Sequence, residues 1–390
     1  MLNKLRLLTP GPTPLPEEVR LALAKDMIHH RKRDFVQIME RIQPGLQYLL
    51  GTTQQVLPLS CSGTGAMHAA VTNLFAPGEK VLVVEGGKFG ERWREIAHSQ
   101  GLIVTSLVQE NGQAVTAEDV RVALESEPDL RGVLVQASET STGVLHPVHE
   151  LGAVTRQADV LLVVDGISAV GISPCPMDAW GIDCLLTGSQ KGLMLPPGLA
   201  LLSLSARGWD KVREVGSSNF YFNLLAERDN SLKHQTLFTS PVNLLQGLAV
   251  SLDLFREETL EAVYRKQWAL TSMARIGAAS LGLELLAKTH FTWGLTSIKL
   301  PAGIDGGQVL KTAAERYGVV MAGGQGELKK SVIRIGHMGH VDWSDVLAGL
   351  HALRRGLIDA GGYSASRTYM EDAVHAYEEA LCEGYPEMRA

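Results

Sequence analysis

Three short segments carry groups that could act together on a small anionic ligand. The first is Ser62–Gly65, which runs directly into the helical pattern Ala66–Val71. Small residues at a helix start leave backbone N–H groups free to bind phosphate, and the helix dipole adds partial positive charge there. Taken alone, the segment is more typical of a tight turn with a threonine cap.

An aspartate and a lysine follow two predicted strands. Asp165 comes directly after the apolar run Val160–Val164, at the edge where open α/β sheets bind ligands. Its carboxylate could pair with a protonated ring nitrogen or cap the turn that follows. Lys191 lies among the small residues of Gly188–Gly192, which leaves its amine accessible for Schiff-base chemistry. For any single lysine, a solvated surface position is the commoner role.

The combination of these segments is more specific than its parts. Pyridoxal phosphate requires an anion-binding turn, a carboxylate at the pyridine nitrogen and an amine that captures its aldehyde. Asp165 would keep the ring nitrogen protonated, and Lys191 would carry protons between substrate and cofactor. The sequence therefore predicts a pyridoxal-phosphate enzyme in which Lys191 forms the Schiff base.

The segments that position these residues alternate between strands and helices. From about residue 56 to 205 the pattern predicts a mostly parallel sheet covered on both faces. Its strands are Lys80–Val84, Leu102–Val108, Gly132–Gln136, Val160–Val164, Cys184–Thr187 and Leu199–Leu204, with helices near Arg92–Ser99, Ala117–Ser126 and Val148–Gln157.

The rest of the chain is predicted to be more helical. Residues 241 to about 286 read as one long helical region. A smaller α+β domain should follow, with strands Thr296–Leu300 and Val332–Ile335 and helices Gly307–Tyr317 and Ser344–Leu357. The polar end is expected to be loosely packed around one short helix, Glu371–Leu381. We expect an N-terminal arm (1–20), a large domain (21–258), a small domain (259–360) and a tail (361–390).

Composition narrows the class of partner. The chain of 390 residues has a formal net charge of −6 and no basic run, so nucleic acid and anionic membranes are not expected partners. No stretch of about 18 apolar residues indicates a membrane span, and the first residues lack the apolar core of a signal peptide. The cysteines form neither a disulfide framework nor a metal motif, which favours the cytoplasm. They are Cys61, Cys175, Cys184 and Cys382.

The sequence resembles the class V aminotransferases of fold type I, in particular alanine–glyoxylate and serine–pyruvate aminotransferases. The resemblance runs from Leu8 to about Leu357 and implies a large, mostly parallel sheet domain with a smaller α+β C-terminal domain. It is carried by Thr9–Thr13, Ile28–Arg31, Cys61–Gly65, Glu139–Val144, Val163–Asp165, Gly188–Lys191 and Ile333–Gly336.

The resemblance implies cofactor contacts at its matching positions. Thr64, Gly65 and Ala66 would bind the phosphate, with Gln190 nearby. Thr239 resembles a residue that reaches the phosphate of the partner subunit, which implies a homodimer with shared active sites. In the alanine–glyoxylate enzymes His stands at Ala66.

The ring and the substrate have their own implied contacts. Phe89 would stack on the pyridine, where those enzymes have Trp, although the residues alone favour a buried core Phe. Thr140 would lie near the phenolic oxygen, Asp165 at the ring nitrogen and Lys191 at the aldehyde. Arg334 would bind the substrate carboxylate through its planar guanidinium, the alternative being a strand-edge surface arginine.

The expected reaction is transamination between a small amino acid (alanine, serine or aspartate) and a 2-oxo acid such as glyoxylate or pyruvate. One alternative is a pyridoxal-phosphate lyase or cysteine desulfurase, which needs a cysteine shortly before the arginine strand; residues 320–327 contain none. Another is the non-redox small subunit of a soluble hydrogenase, as some cyanobacterial relatives are described. The chain lacks a cysteine set for an iron–sulfur or nickel centre. His29 and His30 have no assigned role, and Arg31 is a second candidate for the substrate carboxylate.

Overall fold

The structure is a computed structural model that describes residues 4–361 and 366–386. Its strands are β1 (Arg6–Leu8), β2 (Val56–Leu59), β3 (Lys80–Glu85), β4 (Ile103–Val108), β5 (Leu130–Gln136), β6 (Ser138–Glu139), β7 (Val144–Leu145), β8 (Leu161–Asp165), β9 (Cys184–Gly188), β10 (Ala200–Leu204), β11 (Glu284–Leu285), β12 (Leu295–Lys299), β13 (Val319–Gly323) and β14 (Val332–Gly336). Its α-helices are α1 (Glu17–Leu23), α2 (Arg33–Leu50), α3 (Gly63–Leu74), α4 (Lys88–Ser99), α5 (Ala117–Ser126), α6 (Val148–Gln157), α7 (Ala206–Val215), α8 (Leu224–Ser231), α9 (Val242–Glu258), α10 (Leu260–Ser280), α11 (Gly306–Tyr317), α12 (Trp343–Gly361) and α13 (Tyr369–Glu383).

The larger sheet has seven strands in the order β2-β10-β9-β8-β5-β3-β4. All neighbours are parallel except β10, which runs antiparallel to β2 and β9. Along β3, Leu82 and Val84 enter the core on one face, whereas Val81 and Val83 enter the core on the other. Both faces are therefore buried beneath helices, as continuous apolar strands require. This confirms the predicted α/β fold.

The strand register determines where the reactive residues meet. Gln136 at the end of β5 is paired with Asp165 at the end of β8, and Asp165 is paired with Leu186 in β9. Because these strands are parallel, their carboxyl ends share one edge of the sheet. The loop that carries Lys191 follows β9 at that same edge.

The smaller sheet has five strands in the order β1-β13-β14-β12-β11. Its strands pair antiparallel, except that β1 pairs parallel with β13, with Arg6 opposite Val319. The predicted N-terminal arm thus supplies an edge strand to a sheet otherwise built from residues 284–336. The domain boundaries drawn from the sequence stay a prediction.

The predicted single helical region over residues 241–286 is wrong. Two helices, α9 and α10, are divided at Thr259, which has a positive φ of 67°. Its hydroxyl accepts a hydrogen bond from the Ala262 N–H and so caps α10. The helix ends at Ser280, and β11 follows instead of a further helical turn.

The prediction of a loosely packed C-terminal end is also wrong for residues 366–386; residues 362–365 and 387–390 of that predicted tail lie outside the described residues. Helix α13 is 15 residues long and buries Tyr369 and Ala373 in the core of the smaller sheet. A Cβ at Gly277 of α10 would lie 3.1 Å from the Ala373 Cβ. Small residues on both helices let their backbones approach closely.

Candidate active site

Asp165 and Lys191 form a buried pair of opposite charge at the edge of the larger sheet, with 4% and 9% of their surfaces exposed. One oxygen of Asp165 accepts a hydrogen bond of 2.8 Å from the Ile167 N–H. Burial raises the pKa of Asp165 to about 7, against the effects of that hydrogen bond and of the Lys191 charge. Burial lowers the pKa of Lys191 to about 8, while Asp165 opposes the shift. A neutral amine is thus available near physiological pH.

The N-terminal arm packs directly on Lys191. The Lys191 amine donates a hydrogen bond to the Pro10 carbonyl, and the Thr13 hydroxyl donates one of 3.0 Å to the Lys191 carbonyl. A Cβ at Gly11 would lie 2.7 Å from the Lys191 Nζ, so a larger residue there would displace the lysine side chain. The segment Thr9–Thr13 therefore holds the lysine at both its main chain and its amine.

The first turn of α3 contains Thr64, Gly65 and Ala66. Ser62 is the N-cap residue, and its side chain makes no capping hydrogen bond, so the predicted threonine cap is not formed. The N–H groups of Gly65 and Ala66 donate to the Ser62 carbonyl (2.8 and 3.2 Å). The N–H groups open to an anion are therefore the ones that precede them, because the first N–H groups of a helix have no intrahelical acceptor. A Cβ at Gly65 would lie 2.7 Å from the Cys61 Cβ, which requires glycine.

Arg92 connects this turn to Phe89. Its guanidinium donates a hydrogen bond of 3.2 Å to the Thr64 hydroxyl and lies 4.8 Å from the centroid of the Phe89 ring. Phe89 is half-buried at the start of α4 and belongs to neither apolar core of the larger sheet. The alternative of a buried core Phe is therefore wrong, and the ring remains available for stacking.

Arg334 enters the site from β14 with 6% of its surface exposed, so a surface arginine is excluded. Its Nη1 donates a hydrogen bond of 2.8 Å to the Thr140 carbonyl, and its Nε donates one of 2.9 Å to the Gly323 carbonyl. Within residues 4–361 and 366–386 the side chain makes no other hydrogen bond, which leaves Nη2 for a ligand. Burial lowers the pKa of Arg334, and the charge of Glu139 opposes this shift.

Gln190 precedes Lys191 and is half-buried. Its side-chain carbonyl oxygen is buried without a hydrogen-bond partner in the described part of the chain. A buried unsatisfied amide is costly, so a ligand with matching polar atoms would stabilise it.

Thr239 lies on a different surface. Its hydroxyl is 3.5 Å from the His30 Nε2, in a groove of about 680 Å³ that also includes Met27, His29 and Pro241. No hydrogen bond joins it to Lys191 or to α3 among the described residues. Hydrogen bonds, a ring contact and electrostatic interactions link six of the predicted site residues, and Thr239 lies apart from them: Thr64, Phe89, Thr140, Asp165, Lys191 and Arg334. Gly65, Ala66 and Gln190 are their neighbours in the chain.

Arg31 holds the backbone before Thr239. Its guanidinium donates hydrogen bonds to the Gln235 side chain and to the carbonyls of Thr236 and Leu237. These contacts occupy the guanidinium, so its role as a second substrate anchor is not supported by its position.

Three parts of the site were missed by the sequence analysis. The Pro10 carbonyl was missed because a backbone contact leaves no mark in the sequence. Arg92 stands three residues after Phe89 and therefore on the same helical face, a spacing that could have revealed it. Glu139 is fully buried. It is the only charged residue in a run of hydroxyl residues, and this pattern could have revealed it from the sequence.

The four cysteines, all within the described residues, form no disulfide and lie outside the loop that a desulfurase would use. Residues 320–327 form most of β13 and the start of a 3-10 helix, Gly326–Lys330, without a cysteine. Cys61 lies beside Gly65, where burial raises the pKa of its thiol to about 12. A protonated thiol is a poor nucleophile.

Two further searches cover only the described residues. They contain no group of three or more His, Cys, Asp or Glu side chains that could hold a metal ion. None of their helices combines the length and the apolar character needed to cross a bilayer.

Known proteins resemble this chain over most of its length. A soluble hydrogenase small subunit from Synechococcus sp. is 36% identical over 93% of this chain and 95% of its own. An L-aspartate–glyoxylate aminotransferase from Paracoccus denitrificans is 32% identical over 93% of both chains. The crystal structure of a ureidoglycine–glyoxylate aminotransferase from Bacillus subtilis superimposes with a TM-score of 0.90, 26% identity and coverage of 97% and 99% of the two chains.

The sequence model of the class V aminotransferases matches residues 10–341, which include every residue of the site described above. The fold agrees, since the Bacillus subtilis aminotransferase and an alanine–glyoxylate aminotransferase from Nostoc sp. superimpose on nearly the whole chain with TM-scores of 0.90 and 0.87. Both results confirm the predicted resemblance. The chain therefore belongs to the class V aminotransferase family and is an aminotransferase of fold type I.

Proposed function

We propose that this protein uses pyridoxal phosphate to move an amino group between a small amino acid and a 2-oxo acid, with glyoxylate as the favoured acceptor. The single observation that carries the proposal is the buried pair of Asp165 and Lys191 at the carboxyl edge of the larger sheet. The choice of glyoxylate is supported by the aspartate–glyoxylate and ureidoglycine–glyoxylate relatives. Alanine, serine and aspartate are the proposed donors.

The residues present fit pyridoxal phosphate. The α3 turn and Arg92 offer N–H groups and positive charge for the phosphate, and the unsatisfied Gln190 amide lies beside Lys191. The half-buried Phe89 ring offers a stacking surface for the pyridine. When bound, the cofactor supplies an aldehyde that captures amino groups and a ring that accepts electrons.

Asp165 and Lys191 would divide the proton chemistry. The Asp165 carboxylate would hold a proton on the ring nitrogen, because a cation there relieves the cost of a buried negative charge. Lys191 would hold the cofactor at its aldehyde and then take the proton from the substrate Cα. Its lowered pKa of about 8 suits a general base that works near neutral pH.

Arg334 would orient the substrate. Its contacts with the Thr140 and Gly323 carbonyls fix the guanidinium plane, and Nη2 remains free to bind an α-carboxylate. Amino acids and 2-oxo acids share that carboxylate, so one arginine would serve both directions of the reaction. Thr140 would lie near the phenolic oxygen of the cofactor.

We also propose a homodimer in which Thr239 completes the partner's site. The support is its position outside the Lys191 cluster, on a surface where Phe220 is 81% exposed and Tyr221 stacks on Phe238 with 5.1 Å between ring centroids. Exposed aromatic clusters are typical of protein interfaces. A cytoplasmic location is supported by the lack of a disulfide among the four cysteines, all of which lie in the described residues.

A partner role in a hydrogenase complex rests on the names of two relatives, the soluble hydrogenase subunits of Synechococcus sp. and Anabaena cylindrica. Such a role would not require an amine and a carboxylate buried together at a sheet edge. Both functions could reside in one chain, so the test must address the amine directly.

The test is borohydride reduction of the purified protein with bound cofactor, followed by peptide mass mapping. We expect the label on Lys191, and we expect Lys191→Ala to lose the label and the turnover of alanine with glyoxylate. Lys266→Ala is the matched control, because Lys266 is also partly buried and burial lowers its pKa. A label on another lysine, or turnover by Lys191→Ala, would overturn the assignment.

A further inference from the structure

Glu139 is a fully buried acid that the proposed reaction does not use. It ends β6, and its carbonyl accepts hydrogen bonds from the N–H groups of Thr142 and Gly143 in the turn to β7. Its side chain bridges Ser141 of that turn and the start of α4. Buried acids are rare unless they are paired or hydrogen-bonded, so its partners indicate its role.

Both oxygens of the Glu139 carboxylate are occupied by donors. Oε2 accepts hydrogen bonds from the N–H groups of Phe89 (2.9 Å) and Gly90 (3.1 Å). Oε1 accepts from the N–H (3.0 Å) and the hydroxyl (2.5 Å) of Ser141, and that hydroxyl accepts from the Lys88 N–H at 3.0 Å. The first three N–H groups of α4 thus donate hydrogen bonds to Glu139, either directly or through the Ser141 hydroxyl.

No residue of α4 could replace this contact. The N-cap residue of α4 is Gly87, which has no side chain to cap the helix. A Cβ at Gly87 would lie 2.8 Å from the Glu139 Cδ, so the backbone can approach the carboxylate only because glycine stands there. The capping group therefore comes from another element, and the position of Phe89 depends on it.

The same short segment also fixes Arg334. The residue after Glu139 is Thr140, whose carbonyl accepts the hydrogen bond of 2.8 Å from the Arg334 Nη1. The Glu139 charge also opposes the effect of burial on the pKa of Arg334. The Glu139 carboxylate thus positions Phe89, and the carbonyl of the adjacent Thr140 positions Arg334.

We propose that Glu139 is a positioning residue that sets, from one buried carboxylate, both the ring of Phe89 and the guanidinium of Arg334. It touches neither substrate nor cofactor and acts through the α4 start and the Thr140 carbonyl. The inference rests on the proposed function, because it assumes that Phe89 faces the cofactor and Arg334 the substrate. It predicts that cofactor binding and substrate binding weaken together when Glu139 changes.

The test is Glu139→Gln in the cofactor-bound enzyme. The amide group points two hydrogens at groups that are themselves donors, so at least one N–H or hydroxyl loses its acceptor. We expect the dissociation constant for pyridoxal phosphate and KM for both alanine and glyoxylate to rise about 10-fold, since Phe89 and Arg334 would no longer be held in the positions that bind cofactor and substrate. The visible circular dichroism of the bound cofactor should fall, because Phe89 would no longer hold the cofactor ring in one orientation.

Asp183→Asn is the matched control. Asp183 is also buried and accepts hydrogen bonds from a backbone N–H (Leu162, 3.0 Å) and a serine hydroxyl (Ser205, 2.7 Å), but at the amino ends of β8 and β9. It should lower the melting temperature without changing the cofactor dichroism or either KM. Parallel changes in both variants would mean that Glu139 acts only on stability, and the inference would fail.

Ser141→Ala keeps the test decisive if Glu139→Gln does not fold. It removes one donor to Glu139 and the acceptor of the Lys88 N–H, so we expect the same changes at a few-fold level. Wild-type dichroism and wild-type KM in the folded variants would overturn the inference. A wild-type enzyme that binds no cofactor at Lys191 would instead overturn the proposed function, so the two failures are distinguishable.

Discussion

The amine of Lys191 donates a hydrogen bond to the carbonyl of Pro10, a residue 181 positions earlier in the chain. Gly11 lies against the same side chain, at a positive φ of 108°. The N-terminal arm is therefore one wall of the candidate site.

Gly11→Ala should disturb Lys191 directly. The added Cβ would lie 2.6 to 2.7 Å from the Cδ, Cε and Nζ of Lys191, and the lysine must shift. We expect at least about a 10-fold loss of affinity for pyridoxal phosphate, since a buried donor is displaced from its acceptor. Gly78→Ala is the control, because Gly78 also has a positive φ (89°) but open space around it. Both variants should lose about 1–2 kcal/mol of stability from the backbone, and equal cofactor affinity in the two would contradict the contact.

Arg334→Ala should lower kcat/KM about 10- to 100-fold for the amino acid and the 2-oxo acid alike, because both would lose one charge-assisted contact. Arg334→Lys should recover only part of this, since an ammonium lacks the planar fork. Single-turnover absorbance with alanine and with glyoxylate measures both directions. Arg275→Lys is the matched control, because Arg275 also donates to two backbone carbonyls, those of Ala287 and Lys288. Wild-type rates in Arg334→Ala would make this arginine structural.

Asp165 and Lys191 should make the free energy of unfolding of the cofactor-free protein depend on pH. The pKa of Asp165 rises from 3.8 to about 7 on folding, so its contribution to the free energy of unfolding is lost as the pH rises through 7. The pKa of Lys191 falls from 10.5 to about 8, so its contribution is lost as the pH falls through 8. Urea unfolding from pH 4 to 10 should show Asp165→Asn flattening the acid side and Lys191→Met the alkaline side, relative to wild type. Unchanged curves would disprove the assigned shifts.

Shared active sites predict complementation between two defective chains. Lys191→Ala lacks the amine, and Thr239→Ala should bind the cofactor weakly because it lacks the hydroxyl offered to the partner. A mixed dimer contains one site with both groups intact, so co-expressed chains should recover about half of the wild-type activity per mixed dimer. Sedimentation velocity checks the dimer itself. A mixture no more active than its separate parts would argue against a shared site.

The sequence predicts the larger sheet well because each parallel strand is a continuous apolar run. The bounds of α5 and α6 agree residue for residue with their prediction. Lys191 was predicted from its place after a strand, and Arg334 from the family resemblance. Strand β1 was missed because three residues are too few to show the alternating apolar pattern of a strand. It also pairs with β13, which comes much later in the chain. Strand β2 was missed because Pro58 interrupts its apolar run; it lies at the sheet edge, where proline is tolerated.

The missed residues of the site share one property. Glu139 and Arg92 act on backbone or hydroxyl groups of other elements, and such partners are chosen by the fold rather than by local pattern. The prediction of a loosely packed tail was wrong for a related reason. An alanine is only weakly apolar, but Ala373 of α13 packs closely against Gly277 of α10.

The parallel pairing of β1 with β13 has a consequence for how the protein is made. Residues 6–8 are synthesised long before their partners, residues 319–321. Until those partners are made, the arm has no sheet to join, and Pro10 and Gly11 cannot settle against Lys191. Long-range pairing of this kind is slow and leaves strand edges exposed during synthesis. The lysine should therefore acquire its final surroundings only after β13 has been synthesised and has paired with β1.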